Sequence, residues 1–257
     1  MPEFCSTSID GHVLTVTIER PEVMNSLHPL ANAEMGAVFD EFAANPALWV
    51  AIVTGRGDRA FSAGNDLKYQ AQGGKRVPTP RGFGGLTSRF DLLKPVIAAV
   101  NGVAMGGGFE IALACDLIIA ADTARFALPE PKVGLAALAG GLHRLPRQIG
   151  TKQAMGMILT GRHVPAQEGK ELGFVNEVVA AATLLERAKT WAEMICECAP
   201  LSIRASMEVG YGGLAHASLA AAMSANYDSV REMAASQDFV EGPRAFAEKR
   251  KPNWQGR

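Results

Sequence analysis

The chain is 257 residues long and 48% hydrophobic, enough to bury a full core as one large domain or as one domain with an appendage. Its 25 basic and 26 acidic residues nearly cancel, and no basic stripe interleaved with aromatics appears, which argues against nucleic acid or a membrane surface as a partner. Residues 1–10 hold no apolar stretch of signal-peptide length, and runs such as Leu117–Ala121 are far too short to cross a bilayer, so the expected setting is the cytoplasm.

From the N-terminus, Val13-Leu-Thr-Val-Thr-Ile18 predicts a strand ended by Arg20-Pro21. Leu30, Ala33, Met35, Val38, Phe39 and Phe42 recur at spacings of three and four, which predicts a helix over 29–44. Val50-Ala-Ile-Val-Thr54 reads as a short strand, turned by Gly55-Arg-Gly-Asp58. Pro95-Val-Ile-Ala-Ala-Val100 and Asp116-Leu-Ile-Ile-Ala-Ala121 repeat the pattern, with the continuous apolar character of strands covered on both faces. Between Thr54 and Pro95, 70–85 collects five glycines, two prolines and three basic residues and predicts a mobile loop, either a cover over a substrate or an ordinary surface loop. After Thr151 strand signals fade except at Phe174-Val-Asn-Glu-Val-Val179, and 184–198, 201–209, 217–233 and 243–251 read as helices. Alternation in the first two thirds argues for an α/β fold, with ligands expected just beyond the strand ends.

Cys5, Cys115, Cys196 and Cys198 make no paired framework, and no histidine stands near the last two to complete a zinc site, so reduced thiols and no metal are expected. His143 follows a glycine pair and reads as a helix-surface residue.

The chemistry-bearing residues fall after the predicted strands. Glu110 lies behind the glycine triplet of Met105-Gly-Gly-Gly-Phe-Glu110, and Glu130 lies inside Phe126-Ala-Leu-Pro-Glu-Pro131. Brought together, they form an acid/base pair able to move a proton and activate a water. The turns at Gly64-Asn65 and Gly106-Gly-Gly108 can each offer a backbone N–H to an oxygen, and two such donors make an oxyanion hole.

Six ordered segments carry a resemblance over essentially the whole chain: Arg20-Pro-Glu-Val-Met-Asn-Ser-Leu27, Ala60-Phe-Ser-Ala-Gly-Asn-Asp-Leu67, Asn101-Gly-Val-Ala-Met-Gly-Gly-Gly-Phe-Glu110, Phe126-Ala-Leu-Pro-Glu-Pro-Lys-Val-Gly134, Gly140-Gly-Leu-His-Arg-Leu-Pro-Arg147 and Phe246-Ala-Glu-Lys-Arg-Lys251. They resemble the enoyl-CoA hydratase/isomerase family, the crotonase superfamily. The resemblance implies a spiral of ββα units over 1–195 with the acyl-CoA site, and a helical C-terminal region over 196–257 that joins homotrimers, commonly stacked as hexamers. It implies an acyl-CoA thioester as partner, CoA arriving as part of the substrate, no separate cofactor, and a lyase of fatty acid metabolism. By motif match the thioester oxygen is held by the N–H groups of Asn65 and Gly107, Glu110 activates water and Glu130 donates the proton. Val23, Met24 and Ala63 are expected near the adenine and Lys68 near the phosphates, with Phe246 and Lys249 reaching the nucleotide from the tail. Relatives that only shift a double bond usually lack the carboxylate at the Glu110 position, so hydration of a trans-2-enoyl-CoA is favoured. Dehydration of a specialised hydroxyacyl-CoA, isomerisation, thioester hydrolysis and silent acyl-CoA binding are the alternatives.

Three positions depart from the family pattern. Leu138 stands where short-chain hydratases use a glycine amide to help hold the water, Asn65 replaces a common alanine, and Glu22 takes the place of a lysine near the nucleotide. The first two bear on the acyl pocket, so the length and character of the acyl group stay open.

Overall fold

The computed structural model describes residues 3–74, 77 and 79–257. Two compact units emerge, one of residues up to Phe90 together with Pro95–Ala192, the other of Asp91–Lys94 and Glu193–Arg257.

The first unit opens with an antiparallel hairpin of β1 (Cys5–Asp10) and β2 (Val13–Ile18), turned at Gly11 with φ +55°. Helix α1 (Pro29–Ala44) follows, its start capped by His28, whose ring nitrogen accepts from Ala31 N at 3.1 Å. Then the chain winds three times through one pattern. Strand β3 (Val50–Gly55) leads to β4 (Ala60–Ser62) and the short helix α2 (Leu67–Ala71). Strand β5 (Val96–Val100) leads to β6 (Val103–Met105) and α3 (Gly107–Ala114). Strand β7 (Leu117–Ala121) leads to β8 (Arg125–Ala127), a 3-10 turn at Glu130–Val133 and α4 (Gly141–Ile149). The first strand of each winding joins one sheet, β1-β2-β3-β5-β7-β10, and the second joins another, β4-β6-β8-β9. Helix α5 (Thr151–Thr160), β9 (Val164–Pro165), α6 (Ala166–Leu172) and β10 (Glu177–Val179) complete both sheets. These are repeated ββα units on an α/β fold.

Sequence explains the layering. β3 and β5 are buried along their whole length, so their continuous apolar runs suit parallel strands covered on both faces. The second strands are three residues long and end at the glycines and polar residues that build the site. Placing the site at strand ends is what an open α/β arrangement favours.

Part of the predicted loop over 70–85 is packed. Lys75, Arg76 and Pro78, which that reading counted, lie outside the described residues. Phe83–Gly85 instead forms a 3-10 turn against α1: Gly84 N donates to Asn32 Oδ1 at 2.6 Å, and a Cβ on Gly85 would meet Gly36 Cα at 2.6 Å. Glycine here serves close backbone approach, a use that composition alone does not distinguish from looseness.

Helix α7 (Leu184–Cys196) runs across the boundary between the units. Within the second unit lie α8 (Pro200–Gly213), α9 (Leu219–Ser224), α10 (Asp228–Ala234) and α11 (Gln237–Ala247). The single helix expected over 217–233 is broken at Ala225, whose ψ of 152° is extended, and the Tyr227 hydroxyl donates to Ala222 O across the break. The helix expected from Pro243 begins earlier, capped by Ser236 Oγ, which accepts from Phe239 N at 3.1 Å; proline marks helix starts often enough to mislead here. Past α11 the chain folds back: Asp238 accepts from the N–H groups of Gln255 and Gly256, and Glu241 pairs with Arg244 and Arg250, which hold its carboxyl far below the usual range.

Candidate active site

Tight seating of α3 brings Glu110 and Glu130 to one place, and the glycine triplet explains it. A Cβ on Gly108 would lie 2.0 Å from Ser62 O at the end of β4, and one on Gly107 would lie 2.5 Å from the Phe83 ring. Gly106 has φ +52°, and a Cβ there would lie 2.9 Å from Glu130 Oε1. Glu110 N donates to Gly106 O at 2.9 Å, so the second glutamate lies over the turn from which the first is one helical step away. Beneath them Phe109, Phe126 and Phe174 form a cluster with ring centroids 5.1–5.2 Å apart. Phe109 precedes Glu110 and Phe126 leads into the segment of Glu130, so one apolar base fixes both carriers.

Glu110 is 3% exposed. Burial pushes its carboxyl up to about 7; the Gly141 amide, donating to Oε1 at 2.9 Å, opposes this, the nearby Glu130 carboxylate reinforces it, and the Ala139 amide and Arg144 guanidinium pull it back. Burial also pushes Glu130 above the ordinary glutamate value. Its Oε2 is buried and accepts no hydrogen bond among the described residues, an unmet acceptor that marks the spot for a ligand group. Burial thus works against ionisation at both carboxyls, and at Glu110 the charge of Glu130 adds to it.

The two expected amides also converge. Gly64 has φ +84°, and a Cβ on it would lie 2.6 Å from Met105 O and 2.8 Å from Gly107 N, so its turn touches the start of α3 backbone to backbone. A parallel bridge between Leu27 and Asn65 uses the N–H of Leu27, donating to Gly64 O at 2.8 Å, and that of Asp66, donating to Leu27 O at 3.1 Å. Alternation along extended backbone therefore points the Asn65 N–H away from Leu27. Gly107 begins its helix, so its N–H has no partner within it. Among the described residues neither N–H has a hydrogen-bond acceptor, which leaves both available to an outside oxygen.

The remaining predicted residues fall in three places. Val23 and Met24 close a 3-10 turn at Pro21–Val23, and Met24 O accepts from Ala63 N at 2.9 Å, which sets these three together on one edge; Lys68 is exposed on α2 nearby in sequence. Leu138 N donates to Ala136 O at 2.9 Å, so the amide expected beside the water is engaged within its own loop, and its side chain is 79% exposed. Phe246 and Lys249 belong to the second unit, Phe246 exposed on α11 and Lys249 just past its end with φ +54°. His143 is exposed on α4 as expected.

Sequence reasoning missed four contributors: Gly141 and Ala139, whose amides reach Glu110, Phe83 against Gly107, and the Arg20–Asp66 pair. Only the last left a trace, since an aspartate one residue before a short helix is a cap signal. Asp66 Oδ1 accepts from Tyr69 N at 3.1 Å and Oδ2 meets Arg20 Nη2 at 3.1 Å, with both side chains largely buried. These donors overcome burial and hold the carboxyl below its usual range. Asp66→Ala is expected to lower stability by about 2–4 kcal/mol in urea unfolding, because it removes a helix cap and strands a buried guanidinium. A depressed carboxyl stabilises fully above its unfolded value and loses that contribution as pH falls through the lower folded value, so the difference between the two proteins should shrink only in that acid window.

Among the described residues no group of three or more histidine, cysteine, aspartate or glutamate side chains is arranged to hold a metal ion, and no helix is long and apolar enough to cross a membrane. A buried Glu110 and a half-buried Glu130 thus lie beside two turns with outward amides, on repeated ββα units. The sequence matches the enoyl-CoA hydratase/isomerase family over residues 8–257. It is 43% identical to the carnitinyl-CoA dehydratase of Escherichia coli (strain K12), with 100% of both chains covered, and 44% identical to that of Citrobacter koseri, with 96% of both covered. The fold superimposes on the crystal structure of an enoyl-CoA hydratase from Mycobacterium tuberculosis H37Rv with a TM-score of 0.92 at 37% identity, again over 100% of both chains. The chain belongs to the enoyl-CoA hydratase/isomerase family.

Proposed function

We propose that the protein is a hydro-lyase that reversibly adds water across the C2=C3 double bond of a trans-2-enoyl-CoA thioester, with CoA entering as part of the substrate. The observation that carries this reading is buried Glu110 and half-buried Glu130, whose Oε2 is enclosed, set beside the amides of Asn65 and Gly107. In the hydration direction the thioester oxygen lies between Asn65 N–H and Gly107 N–H, which draw the double-bond electrons toward it and leave C3 electrophilic. Glu110 takes a proton from water as the oxygen attacks C3, the electron pair of the double bond moves to C2 and onto the held oxygen, and Glu130 gives a proton to C2. Dehydration runs the same steps backward. Proton and charge changes are all met by carboxyls and amides, so the reading asks for no metal or redox group. Adenine near Val23, Met24 and Ala63, phosphates near Lys68 and a tail contribution from Phe246 and Lys249 belong to the same reading.

A second reading concerns the acyl group. Relatives named carnitinyl-CoA dehydratase match across the full chain, and Leu138 and Asn65 depart from the pattern of short-chain hydratases. Both facts favour dehydration of a specialised hydroxyacyl-CoA. Assembly as a homotrimer or hexamer is supported by the apolar side chains that the second unit leaves open, Leu214, Leu219, Met223 and Phe246 among them.

Absorbance of the conjugated enoyl thioester tests both. Crotonyl-CoA should lose it with enzyme present, and carnitinyl-CoA should gain it if the specialised reading holds. Turnover of carnitinyl-CoA alone would restrict the enzyme to that class. Tight acyl-CoA binding with no turnover of any thioester in a broad panel would leave a binding subunit and end the hydro-lyase reading.

A further inference from the structure

Arg144 connects to Glu110 through backbone that the proposed mechanism does not use. It lies in the first turn of α4, its own N–H donates to Gly140 O at 2.8 Å, and its Nη2 donates to Thr87 O at 2.9 Å. Its guanidinium carbon stands 5.8 Å from the centroid of the Phe90 ring. Gly140 has φ +109°, and a Cβ on it would lie 2.1 Å from Arg144 Nη1, so the guanidinium packs directly on the turn that starts the helix. The next residue is Gly141, whose N–H is the donor on Glu110 Oε1. A Cβ at Gly141 would lie 3.1 Å from Glu110 Cγ and Oε1, so that turn has little freedom to shift without moving the carboxylate contact.

We propose that Arg144 is a positioning residue for Glu110: its guanidinium clamps the Gly140-Gly141 turn against Thr87, which keeps the Gly141 N–H on the carboxylate and a fixed positive charge close to it. Among the described residues, Glu130 faces Glu110 from the 3-10 turn and Arg144 from α4, whose other titratable side chains, His143 and Arg147, are exposed; β4, β5, β6 and the Phe83–Gly85 turn, also packed on α3, carry no charged side chain. Cys115, at the end of α3, also feels the Arg144 charge, but burial holds its thiol far up and neutral. Arg144 favours the ionised form of Glu110 and Glu130 opposes it, so loss of the clamp should leave Glu110 protonated to higher pH.

This inference rests on Glu110 being the base of the proposed reaction, so its test includes a readout that needs no substrate. Protein labelled with 13C at the glutamate carboxyl is titrated by NMR, and the Glu110 resonance is identified by its absence from Glu110→Gln. In Arg144→Gln its midpoint should rise by about half a pH unit or more, and the ascending limb of kcat/KM should move alkaline with it. Arg144→Lys, which keeps the charge, should return most of the shift. Gly140→Ala keeps the arginine but puts a methyl where Nη1 sits, and should move the midpoint the same way as Arg144→Gln. An unmoved midpoint in Arg144→Gln and Gly140→Ala overturns the assignment; should Arg144→Gln not fold, an unmoved midpoint in Gly140→Ala overturns it alone. A midpoint that moves in a protein that turns over no acyl-CoA rejects the proposed function and leaves the clamp intact.

Discussion

Replacing Glu110 by glutamine should lower turnover about 10²–10⁴-fold while acyl-CoA affinity stays nearly unchanged, because the substitution keeps shape and removes only the proton-accepting oxygen. Glu130→Gln should fall into the same range, and it carries an extra signed consequence. The Glu130 charge raises the Glu110 carboxyl, so its removal should shift the Glu110 midpoint toward acid. Stability should move opposite to activity in Glu110→Gln. The folded value of about 7 lies above the ordinary 4.5, so the native protein loses stability as pH rises from the one to the other, on the order of 3 kcal/mol in full, and glutamine has no such loss. Rate measurements across pH together with thermal unfolding at pH 5 and pH 8 check all of this. A Glu110→Gln enzyme within a few-fold of wild type would remove that residue from the mechanism, and one no more stable than wild type at pH 8 would mean that its carboxyl is not held against ionisation.

Opposed effects of this kind mark a site that is arranged at the expense of the fold. A carboxyl at 3% exposure with a repelling neighbour is a poor structural choice. Gly141, Ala139 and Arg144 offset part of that cost without cancelling it, which keeps the proton mobile near neutral pH.

What the sequence displays and what it hides follow from how each contact is made. Strands β3, β5 and β7 were legible because burial on both faces writes itself as an unbroken apolar run. Glu110, Glu130 and the glycine triplet were legible because a carboxylate behind a side-chain-free turn is an unusual local pattern. The Gly141 amide was hidden, since a backbone N–H has no residue code and its partner is 31 positions away. Phe83 was hidden for a related reason: its neighbours are glycines, and a glycine-rich stretch reads alike whether it is loose or pressed against a ring. The break at Ala225 was hidden because an alanine-rich run favours helix locally, and only the packing of Tyr227 on Ala222 shows where it stops.

Gly64 offers the second large effect, through the two amides. No side-chain substitution deletes a backbone donor, but one can separate a pair of them. Gly64→Ala would bring a methyl to 2.8 Å from Gly107 N and 2.6 Å from Met105 O, distances that side chains do not tolerate, at a φ of +84° that alanine adopts only under strain. The Gly64-Asn65 turn must then move off the start of α3, and the Asn65 N–H moves with it. Since loss of one such donor typically costs about 2.7–4 kcal/mol of barrier, kcat should fall about 10²–10³-fold. Glu110 is held from the other side by Gly141, so its titration midpoint should stay near 7. Measuring kcat and the 13C midpoint on the same preparation, after thermal unfolding shows it folded at the assay temperature, separates the two halves of the site. A fall in kcat with an unmoved midpoint assigns the loss to the amides. A kcat close to wild type would mean that the thioester oxygen is held elsewhere, and a midpoint that moves together with kcat would mean that the turn supports the carboxyls as well.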